Sequence, residues 1–523
     1  MLRNTYVQIG FAVALGFAVM MLPRPQGTIF DIAGDPEGLV SAAVAGEFVL
    51  VEGGETGAYR LQVVDPVDIE APQDRLEGEA ARLGLESATV ETVNGLSKTG
   101  FRFLAVLAAL IFLFVIEPIP LEITAILIGV LLAATRVVDL REAWATYMHP
   151  VVVFIMCCLI FAIALEKAKV TERLSATIAR RAGNSVVRFT FMLSIGLGFS
   201  SAVLHDAAAT AIGIATMLPL MRAAGVKPNT NTSRFMLLSL AFACSCGGMG
   251  TLVGGGRCMV AAAFLKDLTG IEINFLDWIV FAGPLAIITV PVSVLVVYLV
   301  YRPDPTIKLP HYDEKMGPWS AMEIRTCLIL TAGFLLWLTK GLHGLDYSIT
   351  GMATVAALVV TGSLRWRDIH EHLEWGTALF IFGGGICLGL AMASSGAATY
   401  FAHLFFPLVE GRGWLVLLGG VCVFGALVTN TMANVAAAAL ILPIVIPLAQ
   451  LEGVDPRVLA LGLGTATSFA MLLVIGCPPN AIAYSYRQFT SFDLTRVGLV
   501  ATPVLLAVLL TAAGVWWTVL GLL

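Results

Sequence analysis

Residues 237–262 read LLSLAFACSCGGMGTLVGGGRCMVAA, and residues 460–485 read ALGLGTATSFAMLLVIGCPPNAIAYS. Each is an apolar run of membrane-spanning length broken by a turn that a helix does not tolerate, Gly254-Gly255-Gly256 in one and Pro478-Pro479 in the other. Each follows a second long apolar stretch, 189–221 and 414–449, with polar residues near its middle: His205-Asp206 in the first, Thr429-Asn430-Thr431 and Asn434 in the second. Those stretches end alike, ATMLPLMRAAGVKP against ALILPIVIPLAQLEGVDP, and farther upstream VVVFIMCCLIFAIALEKAKVTERL parallels TALFIFGGGICLGLAMASSGAATY. The same plan is written twice.

Charge placement orients the two copies. Lys167, Lys169, Arg173, Arg180, Arg181 and Arg188 precede the first stretch, and Arg222, Lys227 and Arg234 follow it, so both its ends belong on the cytoplasmic face. The second has only Arg412 before and Arg457 after, beside Glu410, Glu452 and Asp455, so both its ends read as external. A segment that enters and leaves on one side is a re-entrant hairpin. Irregular backbone at membrane depth is tolerated only where it is buried or lines a cavity. Two oppositely oriented hairpins, each followed by a broken helix, make an inverted repeat of the kind that secondary transporters use to build a site near the midplane.

The rest of the chain agrees with that class. Of 523 residues, 58% are hydrophobic and 13% charged, where soluble domains carry roughly a quarter charged. The expected fold is an all-α polytopic membrane protein of about eleven spans, because a barrel would show short alternating segments instead. Beyond the two hairpins, spans are expected near 101–117, 120–136, 149–166, 233–253, 276–301, 319–340, 347–364, 374–393, 457–474 and 494–520. A net charge of −5 without a basic cluster argues against nucleic acid. No GxxxxGK[ST] run is present for nucleotide-driven pumping. The nine cysteines lie in or beside apolar runs, at spacings that suit no zinc site, and read as small hydrophobes.

Residues 1–23 form the first expected span, with its N-terminus cytoplasmic. Residues 24–98 break the pattern with fourteen acids against five bases, which suits the outer face. Within them EFVLVEGGETGAYRLQVV reads as two strands around a Gly-rich turn, and QDRLEGEAARLGL as a short amphipathic helix, so this is a small extracytoplasmic α/β insert. Residues 99–272 are the first repeat, with its hairpin at about 189–221 and broken helix at about 233–265. Residues 273–318 are a connecting span and cytoplasmic linker. Residues 319–523 are the second repeat, with its hairpin at about 414–449, broken helix at about 457–486 and the last span.

The order EPIPLEITAIL, HPVVVFI, AIALEKAKVTERL, a hairpin ending in MLP, GGMGTLVG, then ILPI and CPPNAIAYS resembles the divalent anion–sodium symporter family over most of residues 5–520, the insert being the main addition. That resemblance implies transport of dicarboxylates, citrate or sulfate, an eleven-span homodimer, and a transport domain that moves as an elevator against a scaffold. It also implies a Ser-Asn-Thr motif at each hairpin tip. At the second tip Ala433-Asn434-Val435 aligns with it, with Thr429-Asn430-Thr431 one turn earlier. The family's Thr-Pro-Pro-Asn corresponds to Cys477-Pro478-Pro479-Asn480. The first half departs: counting back from Pro219 gives Ala209-Thr210-Ala211, the nearest polar tip is His205-Asp206, and Gly254-Gly255-Gly256-Arg257-Cys258 stands where a Pro-Pro-Asn-like turn is expected.

Arg257 is a permanent cation in an apolar run, which is expensive unless it is paired or functional. Three readings stay open: it binds the anionic substrate through its planar fork, it forms a pair with Asp206 that opens when Asp206 or His205 takes a proton, or it forms a fixed structural pair. The candidate substrate residues are therefore Arg257, Gly255, Gly256, Asn434, Pro479 and Asn480. The candidate cation or coupling residues are His205, Asp206, Thr210, Thr429, Asn430, Thr431 and Cys477. The expected partners are a small anion, the lipid bilayer and a second copy of the chain. No cofactor is expected other than Na⁺ as coupling ion, with H⁺ as its alternative. The function expected is secondary active transport of a small anion, foremost a dicarboxylate, across a bacterial inner membrane; sulfate or a sulfonate is the alternative cargo. A receptor using the insert as its sensor is the competing class, and an enzyme lacks any HExxH or Gly-x-Ser-x-Gly setting.

Overall fold

The computed structural model describes residues 5–25, 29–33, 48–53, 59–63, 75–76, 80, 82–83, 89–92, 95–116, 118–310, 317–409, 411–430 and 432–523. Four strands, β1 (Ile29–Ala33), β2 (Phe48–Gly53), β3 (Tyr59–Val63) and β4 (Thr89–Thr92), lie within the insert. The early helices are α1 (Thr5–Met20), α2 (Lys98–Ile116), α3 (Leu121–Ala134) and α4 (Leu140–Ala145). There follow α5 (Pro150–Lys167), α6 (Val170–Ala182), α7 (Val186–Leu204), α8 (Asp206–Ala223), α9 (Asn231–Gly247), α10 (Gly256–Thr269) and α11 (Phe275–Val300). The second half holds α12 (Ala321–Leu338), α13 (Tyr347–Val360), α14 (Trp366–His372), α15 (Phe382–Ser394), α16 (Ala397–Val409) and α17 (Gly413–Val428). It closes with α18 (Asn434–Leu451), α19 (Pro456–Ala466), α20 (Pro478–Ser485) and α21 (Ser491–Val519).

The helix starts follow from local chemistry. Thr230/Ser233, Asn274/Asp277, Ser320/Glu323 and Thr490/Asp493 form capping boxes at the heads of α9, α11, α12 and α21, satisfying N–H groups that have no intrahelical partner. Proline opens α5, α19 and α20, where its missing N–H costs nothing. Among the described residues six helical stretches are long and apolar enough to cross a membrane: Leu140–Lys167, Val186–Leu204, Phe275–Val300, Ala321–Leu338, Asn434–Leu451 and Ser491–Val519. Ala378–Ser394 and Ala397–Phe405 form a pair bent by 74°, and Thr5–Met20, Leu121–Ala134, Tyr347–Val360 and Gly413–Val428 are shorter apolar helices.

The chain divides into two compact units. One comprises Met1–Thr146, Cys387–Gly413 and Pro443–Gly453. In it α1 packs on α2, with the rings of Phe11 and Phe112 4.9 Å apart. The insert is an antiparallel sheet of order β2-β3-β1-β4, with Phe30 opposite Leu61 and Ile32 opposite Tyr59. Its apolar face gathers Phe30, Ile32, Phe48, Leu61, Val63, Leu76 and Ala80 into one core. The two strands read from the sequence are β2 and β3, and β1 and β4 extend the sheet on the β3 side. The amphipathic helix read at residues 73–85 lies largely outside the described residues.

The other unit comprises Tyr147–Ile386, Trp414–Leu442 and Val454–Leu523. Here α7 and α8 pack together as a helix pair turned at His205, and α9 packs against α7 and α11. At Gly247 the backbone of α9 meets the Gly198 carbonyl of α7 so closely that a side chain has no room. Aromatic rings of Phe154, Phe161, Phe334 and Trp337 cement α5 to α12, Phe161 stacking on Trp337 at 5.3 Å.

Candidate functional site

Both helix breaks foreseen in the sequence lie in this second unit. After α9 the chain makes a short 3-10 turn (Gly248–Gly250) and a further turn over residues 252–254, then re-enters helix at Gly256. After α19 it makes two short 3-10 turns, Thr467–Phe469 and Val474–Gly476, and re-enters helix at Pro478. The two breaks touch at equivalent positions of the repeat: Ser245 Oγ donates to the Ser468 carbonyl at 2.7 Å.

Arg257 sits where they meet. Its side chain is 2% exposed, and Asp206, its carboxylate partner, is 1% exposed. Nη1 donates to Asp206 Oδ2 at 2.9 Å, Nε to Ser468 Oγ at 2.8 Å, and Nη2 to the Ser245 carbonyl at 2.9 Å. Asn434, in the amide orientation that satisfies its neighbours, donates to Thr429 Oγ1 at 2.9 Å and to the Gly476 carbonyl, and its oxygen accepts from Arg257 Nη1 at 3.2 Å. Both repeats thus supply acceptors to one guanidinium. Gly255 makes the room, since a Cβ there would lie 2.6 Å from Arg257 Nη1.

Asp206 and Asn434 are counterparts. Each opens the second helix of its hairpin, and each precedes a helix proline, Pro219 or Pro447, at the same spacing in a shared frame that ends G-V-x-P. Counting from Pro443 instead brings Thr210 opposite Asn434. In the structure Thr210 lies one turn into α8, and its hydroxyl donates to the Asp206 carbonyl at 2.8 Å. Superposing the two broken runs, residues 237–262 on 460–485, makes Arg257 and Asn480 counterparts.

His205 forms the tip of the first hairpin with φ of 67°, a left-handed conformation uncommon for a residue with a side chain. Its Nδ1 accepts from Ala207 N at 3.4 Å and lies 3.2 Å from Asp206 Oδ1, which has no other partner among the described residues. In the second half Asn430 Oδ1 accepts from Leu472 N at 2.6 Å and Leu473 N at 3.3 Å, and its amide donates to the Ala426 carbonyl at 2.6 Å. Asn430 therefore holds the extended break in shape. Thr429 Oγ1 donates to the Thr467 carbonyl at 3.4 Å. Asn480 donates to the Ala470 carbonyl at 2.7 Å, while its buried Oδ1 has no hydrogen-bond partner among the described residues. Cys477 is buried with its thiol on the Ala470 carbonyl, and Pro479 is buried beside it. Thr431 lies outside the described residues.

Among the candidates, Arg257, Asp206, Asn434 and Thr429 are linked directly, and Asn430, Cys477 and Asn480 converge on the second break. Gly255 lies against the guanidinium, whereas a Cβ on Gly256 would run into the Phe382 ring. Sequence reasoning passed over Ser245 and Ser468, although they occupy the same column when the two broken runs are superposed. It also passed over Thr251, whose hydroxyl donates to the Ala202 carbonyl and accepts from Val253 N and Gly254 N, pinning the first break.

Four helices begin here. The N-termini of α8, α10, α18 and α20 lie at Asp206, Gly256, Asn434 and Pro478, and helix N-termini carry partial positive charge, about half an elementary charge each. A buried cation at the convergence of helix N-termini has the chemistry to attract an anion, and an amide oxygen without a partner among the described residues, as in Asn480, is of the type that can ligate a small hard cation.

The profile of the sodium:sulfate symporter transmembrane region matches residues 88–523. The chain belongs to that family. As a member of the sodium:sulfate symporter family it is a multi-pass membrane protein and a secondary transporter of an anion, not an enzyme. It is 28% identical to an uncharacterized transporter of Haemophilus influenzae over 79% of this chain and 91% of that one. It is 25% identical to the sodium-dependent dicarboxylate transporter SdcS of Staphylococcus saprophyticus, over 77% of this chain and 84% of that one. The crystal structure of the Alcanivorax borkumensis YdaH transporter is 16% identical, covers 72% of this chain and 86% of that chain, and superposes with a TM-score of 0.47.

Proposed function

We propose that this family member carries a small dianion, foremost a C4 dicarboxylate, inward on a cation gradient. The observation that carries the reading is the convergence of four helix N-termini on a buried arginine held by both repeats. The substrate lies at the N-terminal ends of α10 and α18, where the exposed backbone of Gly255 and Gly256 and the amide of Asn434 meet its carboxylates. Arg257 acts there mainly as a fixed charge. A guanidinium has five N–H donors, and four bonds to protein oxygens leave one Nη2 hydrogen without a protein acceptor among the described residues.

The coupling cation then belongs to the second break. There Asn480 Oδ1 is unpaired, whereas its counterpart in the first half is a cation already built into the chain. Na⁺ binds near Asn480, Thr429 and Cys477, and His205 with Asp206 offers the route by which H⁺ replaces or joins it. The two hairpins are re-entrant, the chain spans the membrane about eleven times as a homodimer, and the unit that carries the site moves as an elevator. The N-terminus is cytoplasmic and the insert extracytoplasmic, in a bacterial inner membrane. Sulfate is the second cargo, favoured by the family's own description.

Uptake of labelled succinate into proteoliposomes tests this, comparing inward Na⁺ and inward H⁺ gradients at matched membrane potential. Accumulation driven by Na⁺ is the expected result. Accumulation driven by H⁺ alone moves the coupling site to His205 and Asp206. No accumulation of succinate, citrate or sulfate under either gradient overturns the proposed cargo and its coupling to Na⁺ or H⁺.

A further inference from the structure

Outside the site, an open groove lies where the amphipathic α6 meets the membrane-length α7. It has a volume of about 350 Å³ and is lined by Thr177, Ile178, Arg181, Phe191, Met192 and Ile195, with Gly196 completing it. Its chemistry is two-ended. The α7 side is a run of apolar groups on a helix long and apolar enough to span the bilayer. The α6 side carries a guanidinium and a hydroxyl.

The charge around its mouth is unbalanced. Residues 166–188 carry six bases against two acids. Lys167 is paired with Asp368 at 3.4 Å, and Arg173 is held by Glu323 and by the carbonyls of Gly317 and Pro318. Lys169, Arg180, Arg181 and Arg188 have no ion-pair partner among the described residues, and all four are exposed. Arg181, an unpaired arginine lining an apolar groove on a spanning helix, with Arg180 beside it in sequence, complements a molecule with an anionic head and an apolar tail.

We propose that this groove holds an anionic phospholipid, with one acyl chain against Phe191, Met192 and Ile195 and its phosphate at Arg181, supported by Arg180 and Arg188. A zwitterionic lipid satisfies the apolar part alone. The arginines therefore set the selectivity and the apolar groove sets the residence.

The full-length protein, extracted from vesicles of equimolar phosphatidylglycerol and phosphatidylcholine and examined by native mass spectrometry, retains phosphatidylglycerol in preference. Arg180→Gln with Arg181→Gln lowers that preference by roughly fivefold for each charge removed. Ile195→Trp fills the groove and strips the bound lipid. Arg141→Gln, an exposed arginine elsewhere, leaves the preference unchanged. Glycerol phosphate at millimolar concentration fails to displace the lipid; displacement would mean that the arginines bind a free phosphate and would overturn the lipid assignment. An unchanged preference in the double variant overturns it as well. Should the variants fail to fold, the unmutated protein still decides: a phosphatidylglycerol with a photoreactive acyl tail labels peptides within residues 177–196, and labelling confined to other segments overturns the proposal.

Discussion

At the scale of single residues, the Arg257–Asp206 pair is the feature with the largest energetic stake. Removing one partner of a buried ion pair leaves the other charge uncompensated, at a cost of about 3–5 kcal/mol, whereas removing both together is often close to neutral. Arg257→Gln and Asp206→Asn each therefore lower the thermal unfolding midpoint in detergent sharply, and the double variant recovers most of the loss. Uptake separates the roles. If the guanidinium supplies the fixed positive charge for the dianion, the recovered double variant still fails to accumulate succinate. If the pair is only structural, transport returns with stability. A double variant no more stable than the worse single one sinks the idea that the two side chains act mainly on each other. Gly255 belongs to the same argument, because its missing Cβ is what lets the guanidinium lie against the break.

Among the elements, much of the helix layout was readable because membrane spans impose long apolar runs, and because glycine and proline mark the breaks. The spans placed near 276–301 and 494–520 are α11 and α21, and the breaks at Gly254–Gly256 and Pro478-Pro479 are where α10 and α20 begin. Asp206 was visible from charge alone as one of the open alternatives for Arg257, beside the anionic substrate. The other ligands of Arg257 were not, because a serine hydroxyl and a backbone carbonyl have no signature beyond their place in a repeat. The hairpin register was harder still. Two prolines, Pro443 and Pro447, offer two alignments, and the helix starts, together with the shared G-V-x-P frame, identify Asp206 with Asn434. The loop joining α10 to α11 shows a smaller effect of the same kind. There Glu272 accepts from Lys340 and lies 3.5 Å from Lys266, and the Lys340 ammonium holds its carboxyl below the usual glutamate range. A carboxylate whose folded value is depressed stabilises the fold above its unfolded value, and that contribution is lost as pH falls through the folded one. Between pH 7 and pH 4 the unfolding midpoint of the wild type thus falls more steeply than that of Lys340→Met. Parallel curves for the two would show that the pair contributes nothing through protonation.

For the whole molecule, the question is whether residues 24–98 take part in the activity. The sheet has its own core, with Phe30, Ile32, Phe48 and Leu61 packed on one another and on Leu76. Its two ends meet: Leu96 N donates to the Pro25 carbonyl at 3.0 Å. An element that closes on itself and is tied at its base can be removed with little strain on what it is attached to, since the entropic cost of closing a loop grows only slowly with its length. Replacing residues 26–94 by a short Gly-Ser linker therefore leaves α1 and α2 packed on each other, and the family match that begins at residue 88 loses only its first few positions. A transporter whose chemistry lies at Arg257 and Asn480 keeps its succinate uptake, with the rate changed less than about twofold, because neither break belongs to the unit that holds the insert. A receptor that senses its ligand through the sheet loses its response entirely. Uptake abolished in a variant that still unfolds cooperatively at the wild-type temperature would make the insert part of the transport machinery, and would place a substrate-collecting or gating role in a segment whose acidic composition otherwise repels the dianion it serves.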